Sequence, residues 1–452
     1  MSRLTVVDEI FLRTHRGMGT PIALQGLWRT GDRVEAELLR EIHDVLREGP
    51  LGRRVVRPRI LGARRGWRPN TRAHPLAIHP QPLTGNAVLP WADSLGADLD
   101  PEFAPGWRLA AASLADGGTV VALTCSHALA DARGLIIAVD LALRGTARVT
   151  NQPLSTSGPD AAASRLEPDS AHQLQAAGEP RLARQLPTPA PARTERPAQH
   201  DDSDWSDAAR QWSTVLRGTA RALRRGIPPR PSAPPARTGP AESHSIVVRC
   251  PSAEWDRVAA EHGGTPNSLF IHLVANILWD SGFDRDTIDA SLPVDTRHEP
   301  RVDNDLAVTE ITVTRADTPA TVRAKARAAY EHRMSSPDGM PEELLQVIPD
   351  RWAHALAKGA GERDILCSNI GTLPDSLRTL GPHPCTDVAA RAIHPGLDPN
   401  HLPRTRLSAY LCEIAGTRTL TLTTLDPTLF PTPTTLLTHT LSTAHPLPLT
   451  PW

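Results

Sequence analysis

The sequence predicts an α/β fold in two halves joined by a long linker. Three observations carry the prediction. Helix and strand signals alternate over residues 1–148, proline crowds residues 149–240, and the alternation resumes over residues 241–452. A chain of 452 residues also exceeds one ordinary core, so two domains plus connections are expected.

Each element has its own signal. Asp8 to Thr14 has helical character and Ile22 to Trp28 is extended. Arg33 to Glu48 places Val34, Leu38, Leu39, Ile42 and Leu46 on one face at the helical period, the pattern of an amphipathic helix. Trp107 to Leu114 and Thr119 to Ser126 read as strands joined across Asp116-Gly117-Gly118, a hairpin signal. Leu135 to Leu143 is a run of good helix formers and predicts a buried helix. The linker holds 14 prolines among Ser, Ala, Gln and Arg; only Asp204 to Arg225 keeps helical character, and the rest is expected to be partly disordered. In the second half Ser245 to Arg249 reads as a strand and Ser252 to His262 as a helix. Gly263 to Asn267 is a turn into the apolar helix Ser268 to Trp279. Leu407 to Ile414 and Thr417 to Leu425 form a closing hairpin across Ala415-Gly416.

Composition narrows the function. A net charge of -1 offers no field for a polyanion, so neither nucleic acid nor an anionic membrane is an expected partner. The five cysteines (125, 250, 367, 385 and 412) are odd in number and lack Cys-x-x-Cys spacing, which predicts neither a disulfide framework nor a metal site and fits a reducing cytoplasm. Asp8 and Glu9 fall where a signal peptide needs basic and then apolar residues. No apolar run approaches the about 18 residues of a membrane span, so no integral membrane association is expected.

The richest stretch is Cys125 to Gly134, which sets His127 four residues before Asp131 between a strand and a helix. The spacing alone is weak, because His200/Asp204, His383/Asp387 and His394/Asp398 share it; these three read as lying outside regular structure, the last two running through Pro384 and Pro395. His127 alone is delivered at a strand end, where rigid backbone can hold a catalytic group. Acyl transfer from a thioester to an alcohol or amine needs a base for the acceptor's proton, and neutral imidazole has a suitable pKa. Asp131, one helical turn on, can fix the imidazole through the intervening loop or pair with a charge that holds the turn. No G-x-S-x-G elbow offers a nucleophile, which favours direct attack over an acyl-enzyme. The structural alternative for His127 is a hydrogen-bonded histidine that closes a strand.

Ser126-His127-Ala128-Leu129-Ala130-Asp131 resembles the H-H-x-x-x-D-G signature of a large acyltransferase superfamily. It includes chloramphenicol acetyltransferase, peptide-synthetase condensation domains, bacterial wax-ester synthases and mycobacterial polyketide-associated acyltransferases. Further segments agree in order. Leu4 to Leu12 resembles L-S-x-x-D-x-x-F-L, Gly264 to Leu269 resembles G-x-T-x-N-D-x-x-L, Leu292 to Arg297 resembles x-P-V-D-x-R, and Cys367 to Gly371 resembles x-S-N-x-G. The resemblance implies two chloramphenicol-acetyltransferase-like lobes with an active-site tunnel between them, entered by thioester donor and acceptor from opposite faces. It implies that His127 is catalytic and Asp131 structural, with Arg297 as the partner of Asp131. It makes Ser368 and Asn369 candidates for binding the oxyanion, and Asn304, where relatives carry a Gly-Asn pair, a candidate substrate contact.

Two departures stand out. Ser126 replaces the first histidine, and Ala132-Arg133 displaces the glycine after Asp131 to Gly134, which points to a tilted loop or a tunnel narrowed by Arg133. Arg133 is also a candidate contact for an anionic group of a substrate. The expected function is transfer of an acyl group from a coenzyme A or carrier-protein thioester to a hydroxyl, less so an amine, in lipid or specialised metabolism. No cofactor is expected beyond the thioester co-substrate. The alternative is a non-catalytic condensation-like module that binds a carrier protein or partner enzyme.

Overall fold

The computed structural model describes residues 2–14, 18, 20–150, 203–225, 237–331, 344–357 and 362–452. In order, the elements of the first half are α1 (Val6–Thr14), β1 (Ala23–Thr30), α2 (Ala36–Glu48), β2 (Arg53–Val56), β3 (Gly66–Pro69), β4 (Ala77–Ile78), α3 (Val88–Asp93), β5 (Trp107–Ser113), β6 (Thr119–Ser126) and α4 (Ala132–Thr150). The helix α5 (Asp204–Arg225) leads to β7 (His244–Pro251), α6 (Ser252–Glu261), α7 (Pro266–Asp280), β8 (Thr287–Asp295), β9 (Leu306–Thr314), α8 (Pro319–Glu331), α9 (Leu344–Val347) and α10 (Asp350–Ala357). The chain closes with β10 (Ile365–Thr372), β11 (Thr379–Leu380), β12 (His383–Ile393), β13 (Leu407–Ile414), β14 (Thr417–Thr424), α11 (Pro433–Thr443) and β15 (Thr450–Pro451).

Two sheets organise these elements. The first runs β11-β12-β1-β6-β5-β4, the second β15-β7-β14-β13-β10-β8-β9, and β2-β3 form a small ribbon. Side chains alternate across β1, so Leu24 and Trp28 face a core that includes Leu39 and Ile42 of α2 and Leu135 and Val139 of α4. Leu27 points to the opposite face, against Ala92 of α3 and Val247 of β7. In the second lobe Phe270, Val274 and Ile277 of α7 pack with Val248, Ala409 and Leu422 of the sheet. The closing hairpin turns in two residues, Ala415 at φ 51° and Gly416 at φ 74°, the mirror-image turn whose twist suits paired strands.

The lobes are not consecutive in the chain. β12, from the second half, pairs with β1 from Ala23↔Ile393 to Thr30↔Cys385 and so completes the first sheet. His383 and Asp387 therefore lie in a strand, which corrects the expectation of irregular structure there. Pro384 is accommodated where β12 meets the two-residue edge strand β11, beside a register shift opposite Arg29 and Thr30. His394/Asp398 does lie past the strand, and His200 falls outside the described residues.

Most of the linker also lies outside them. Its helix, α5, is tied to the first lobe by its own first turn: Asp207 accepts the Arg64 guanidinium at 2.7 Å and the Arg64 N–H at 2.8 Å, and Asp204 accepts Arg3 at 2.8 Å. Carboxylates at that end also complement the helix dipole. Among the described residues no helix is long and apolar enough to cross a membrane, and no group of His, Cys, Asp and Glu is placed to hold a metal ion.

Candidate functional site

β6 ends at Ser126, and the chain turns there toward α4. Ser126, fully buried, accepts the Ala128 N–H on its hydroxyl at 3.2 Å and the Leu129 N–H on its carbonyl at 3.0 Å. The three carbonyls that follow are held by side chains from both lobes. Asn304, in the connection from β8 to β9, donates its amide to His127 O at 2.9 Å and Ala128 O at 3.2 Å, and Arg53 of β2 donates to Leu129 O at 2.5 Å. The loop that carries His127 is thus clamped by donors arriving from residues far away in sequence.

His127 is half-buried, and its ring stacks on Phe11 of α1, with centroids 3.5 Å apart and planes 16° from parallel. Its Nδ1 lies 3.1 Å from Asn304 Oδ1. The amide orientation follows from its surroundings: Nδ2 faces three acceptors, the two carbonyls above and Asp8 Oδ1 at 2.8 Å. Oδ1 can only accept, so in the neutral ring Nδ1 carries the imidazole proton and the lone pair resides on Nε2. That is the tautomer of a base that works through Nε2.

Asp131 caps α4. Its Oδ1 accepts the Gly134 N–H at 2.8 Å and Arg297 Nη2 at 2.7 Å, while Oδ2 accepts the Asp305 N–H at 2.9 Å. The carboxylate is buried and fully engaged by structural partners. Arg297 follows β8 and also meets Asp295 at 2.8 Å and the Arg301 and Asp303 carbonyls. Burial opposes its charge, but Asp131 and Asp295 more than offset this and raise its pKa.

Gly134 stands at the third residue of α4 with ordinary helical backbone. A Cβ there would lie 2.8 Å from Asp303 O and 3.2 Å from Arg297 Nη2. The displaced glycine thus serves close approach of the β8–β9 connection. Arg133, one residue earlier, is exposed.

Ser368 and Asn369 stand outside this network, on β10. Asn369 donates to Asn267 at the start of α7 at 3.0 Å, and Asn267 donates to the Tyr330 hydroxyl at 3.1 Å. β10 pairs with β8 only at Ile365↔Ala290 and Leu366↔Ser291. Beyond those positions the strands part, toward the end where β8 leads to Arg297 and Asn304 and β10 carries Ser368 and Asn369. A small apolar cavity lies beside α4, lined in part by Leu24, Trp28, Leu135, Ile136 and Val139.

Asn304 is placed differently from its expectation, as the partner of the imidazole. Three participants were given no site role by the sequence: Asp8, Phe11 and Arg53. The first two had a signal, since Asp and Phe three apart on one helix face are the D-x-x-F of the opening motif; Arg53 had none. Cys125, adjacent to the loop, is fully buried, which pushes its thiol up to about 12 and makes it a poor nucleophile.

Neither a protein-family model nor a curated protein matches the chain by sequence. Solved structures do share its fold. The first condensation domain of the calcium-dependent antibiotic synthetase, in complex with a substrate analogue, superposes with a TM-score of 0.56 at 14% identity, covering 100% of this chain and 99% of that one. Polyketide synthase associated protein 5 from Mycobacterium tuberculosis gives 0.53 at 13% identity, covering 98% and 96%. The nonribosomal peptide synthetase FmoA3 gives 0.53 at 16% identity over 98% of this chain, which spans 44% of that longer one. At these identities the likeness is one of fold: the chain has the two-lobed architecture of condensation domains, as its motifs led us to expect.

Proposed function

We propose that this protein is an acyltransferase in which His127 is the general base. The observation that carries the proposal is the bond from Nδ1 to Asn304 Oδ1, which leaves the lone pair on Nε2. Nε2 takes the proton of an acceptor hydroxyl, or less readily an amine, as the acceptor attacks the thioester carbonyl. The tetrahedral intermediate collapses, the carbon–sulfur bond breaks, and the proton passes from Nε2 to the departing sulfur, leaving a free thiol and an ester, or an amide where the acceptor is an amine. Ser368 and Asn369, beside the gap between β8 and β10, are the proposed donors to the oxyanion. Asp131, Arg297 and Gly134 hold the loop and the lobes in register. The donor is coenzyme A or a carrier protein, no further cofactor takes part, and the proposed setting is the lipid or specialised metabolism of a reducing cytoplasm, which suits five unpaired thiols.

Thiol release from a panel of acyl-coenzyme A and carrier-bound thioesters tests this. His127→Ala is expected to lose about 10²–10⁴-fold in rate, the usual contribution of a positioned base. Undiminished release in the variant would remove His127 as the base. Absence of release from every donor would favour a binding module.

A further inference from the structure

We infer that the buried carboxylate of Asp8 is a positioning residue that acts on His127 through Asn304, holding the imidazole in its working tautomer and stabilising it when it gains a proton. The inference rests on the reading of His127 as the base but concerns a residue on another element, some 120 positions upstream.

Asp8 makes two kinds of contact. Oδ2 accepts the Thr5 N–H at 2.8 Å while Thr5 Oγ1 accepts the Asp8 N–H at 3.1 Å, a reciprocal arrangement that starts α1. Capping needs only that oxygen and is ordinarily made at the surface. Here the residue is 1% exposed, and its second oxygen, Oδ1, is spent on Asn304 Nδ2. Asn304 is itself 2% exposed and turns its remaining polar atom, Oδ1, to His127 Nδ1. Asp8, Asn304 and His127 therefore form a single line of two hydrogen bonds, of which the anion is one end.

An amide in such a line passes no proton, but it passes polarisation. A negative acceptor at Nδ2 makes Oδ1 a stronger acceptor, so the bond to Nδ1–H tightens, most of all once the ring is an imidazolium. The charges around the ring fit this direction. Burial raises the pKa of the Asp8 carboxyl, and the hydrogen bonds from Thr5 and Asn304 together with the charge of Arg53 work against this and favour the carboxylate; Asp303 also interacts with Arg53, and Asp131 pairs with Arg297. Phe11, one turn after Asp8 on α1, stacks on the same imidazole, so one helix fixes the ring by its face and by its edge.

The test uses the full chain with ¹⁵N-labelled histidine, the His127 signals being assigned by their loss in His127→Gln. Wild type is expected to show the Nδ1-protonated tautomer. Asp8→Asn is expected to lower the pH at which His127 titrates and to cut the rate about ten- to a hundred-fold, less than loss of the base itself. In an Asn304→Ser background the Asp8→Asn change should add nothing, because its route to the ring is gone. The proposal is overturned if Asp8→Asn leaves tautomer, titration and rate unchanged, or acts equally with Asn304 removed. Thermal unfolding reports whether Asp8→Asn folds. If it does not, Asn304→Ser decides: an unchanged tautomer and titration of His127 there overturns the proposal, and a changed one supports it. The resonance readouts need no substrate, so they stand even if His127→Ala proves fully active and the base reading falls.

Discussion

The packing at position 134 leaves no room for a side chain, since a Cβ would press on Asp303 O and the Arg297 guanidinium. Gly134→Ala should therefore destabilise the fold by about 1–3 kcal/mol through overpacking, read as a lower denaturation midpoint at unchanged slope. A second residue gives a pH signature. His383 is buried and donates Nδ1–H to Asp32 at 2.9 Å and Nε2–H to Glu35 at 2.7 Å. Burial opposes its charge, but the two carboxylates outweigh it and raise its pKa above the ordinary value. A raised folded-state pKa stabilises fully below the unfolded value of about 6.5, and that stability is lost as pH rises through the folded pKa. The stability gap between wild type and His383→Asn should thus be widest below about pH 6.5 and close at higher pH, measured by urea unfolding across the range. His383 gave no sign of its role in the sequence, whereas Gly134 stood out there as a displaced glycine. His127 and Asp131 were legible because a strand and a helix frame them, whereas Asp8, Asn304 and Arg53 converge from three separate elements and share no local pattern.

Elements with strong local periodicity were readable for the same reason. α2, α4, α7 and the two hairpins carry their apolar faces in consecutive turns or alternations, and the structure places each within about three residues of its expected bounds, except that α4 runs seven residues past its expected end to Thr150. β12 was hidden because alanines at 389, 390 and 392 dilute the strand signal of Val388 and Ile393, and its first residues include a proline. α5 was visible as a helix, but its anchorage was not. Asp207 is buried against Arg64, and removing one member of that pair leaves the other without its partner. Asp207→Ala is expected to loosen α5 from the first lobe at a cost of about 1–3 kcal/mol. Limited proteolysis within residues 203–225 should accelerate, and the emission of Trp205 and Trp212, both already exposed, should shift further to the red if the helix detaches.

One strand crosses between the halves, an exchange that adds to the ties that Asn304 and Arg297 make across them. β1 has β6 on one side and β12 on the other, so the first sheet is incomplete without residues from the second half. A fragment ending at residue 240 is expected to fail to fold alone, showing neither sharp dispersion in its amide spectrum nor a cooperative thermal transition; a folded fragment would contradict this account of the lobes. The same exchange has a cost in time. Ala23 and Ile393 are neighbours in the sheet and about 370 positions apart in the chain. A ribosome adding about 5–20 residues per second needs roughly 20–75 s to bridge that distance. Through that interval the edge of β1 that will receive β12 stays unpaired, with free main-chain groups that invite the wrong strand. Nascent chains of this protein are consequently the form in greatest need of a chaperone, and pauses in translation before residue 393 lengthen the exposure.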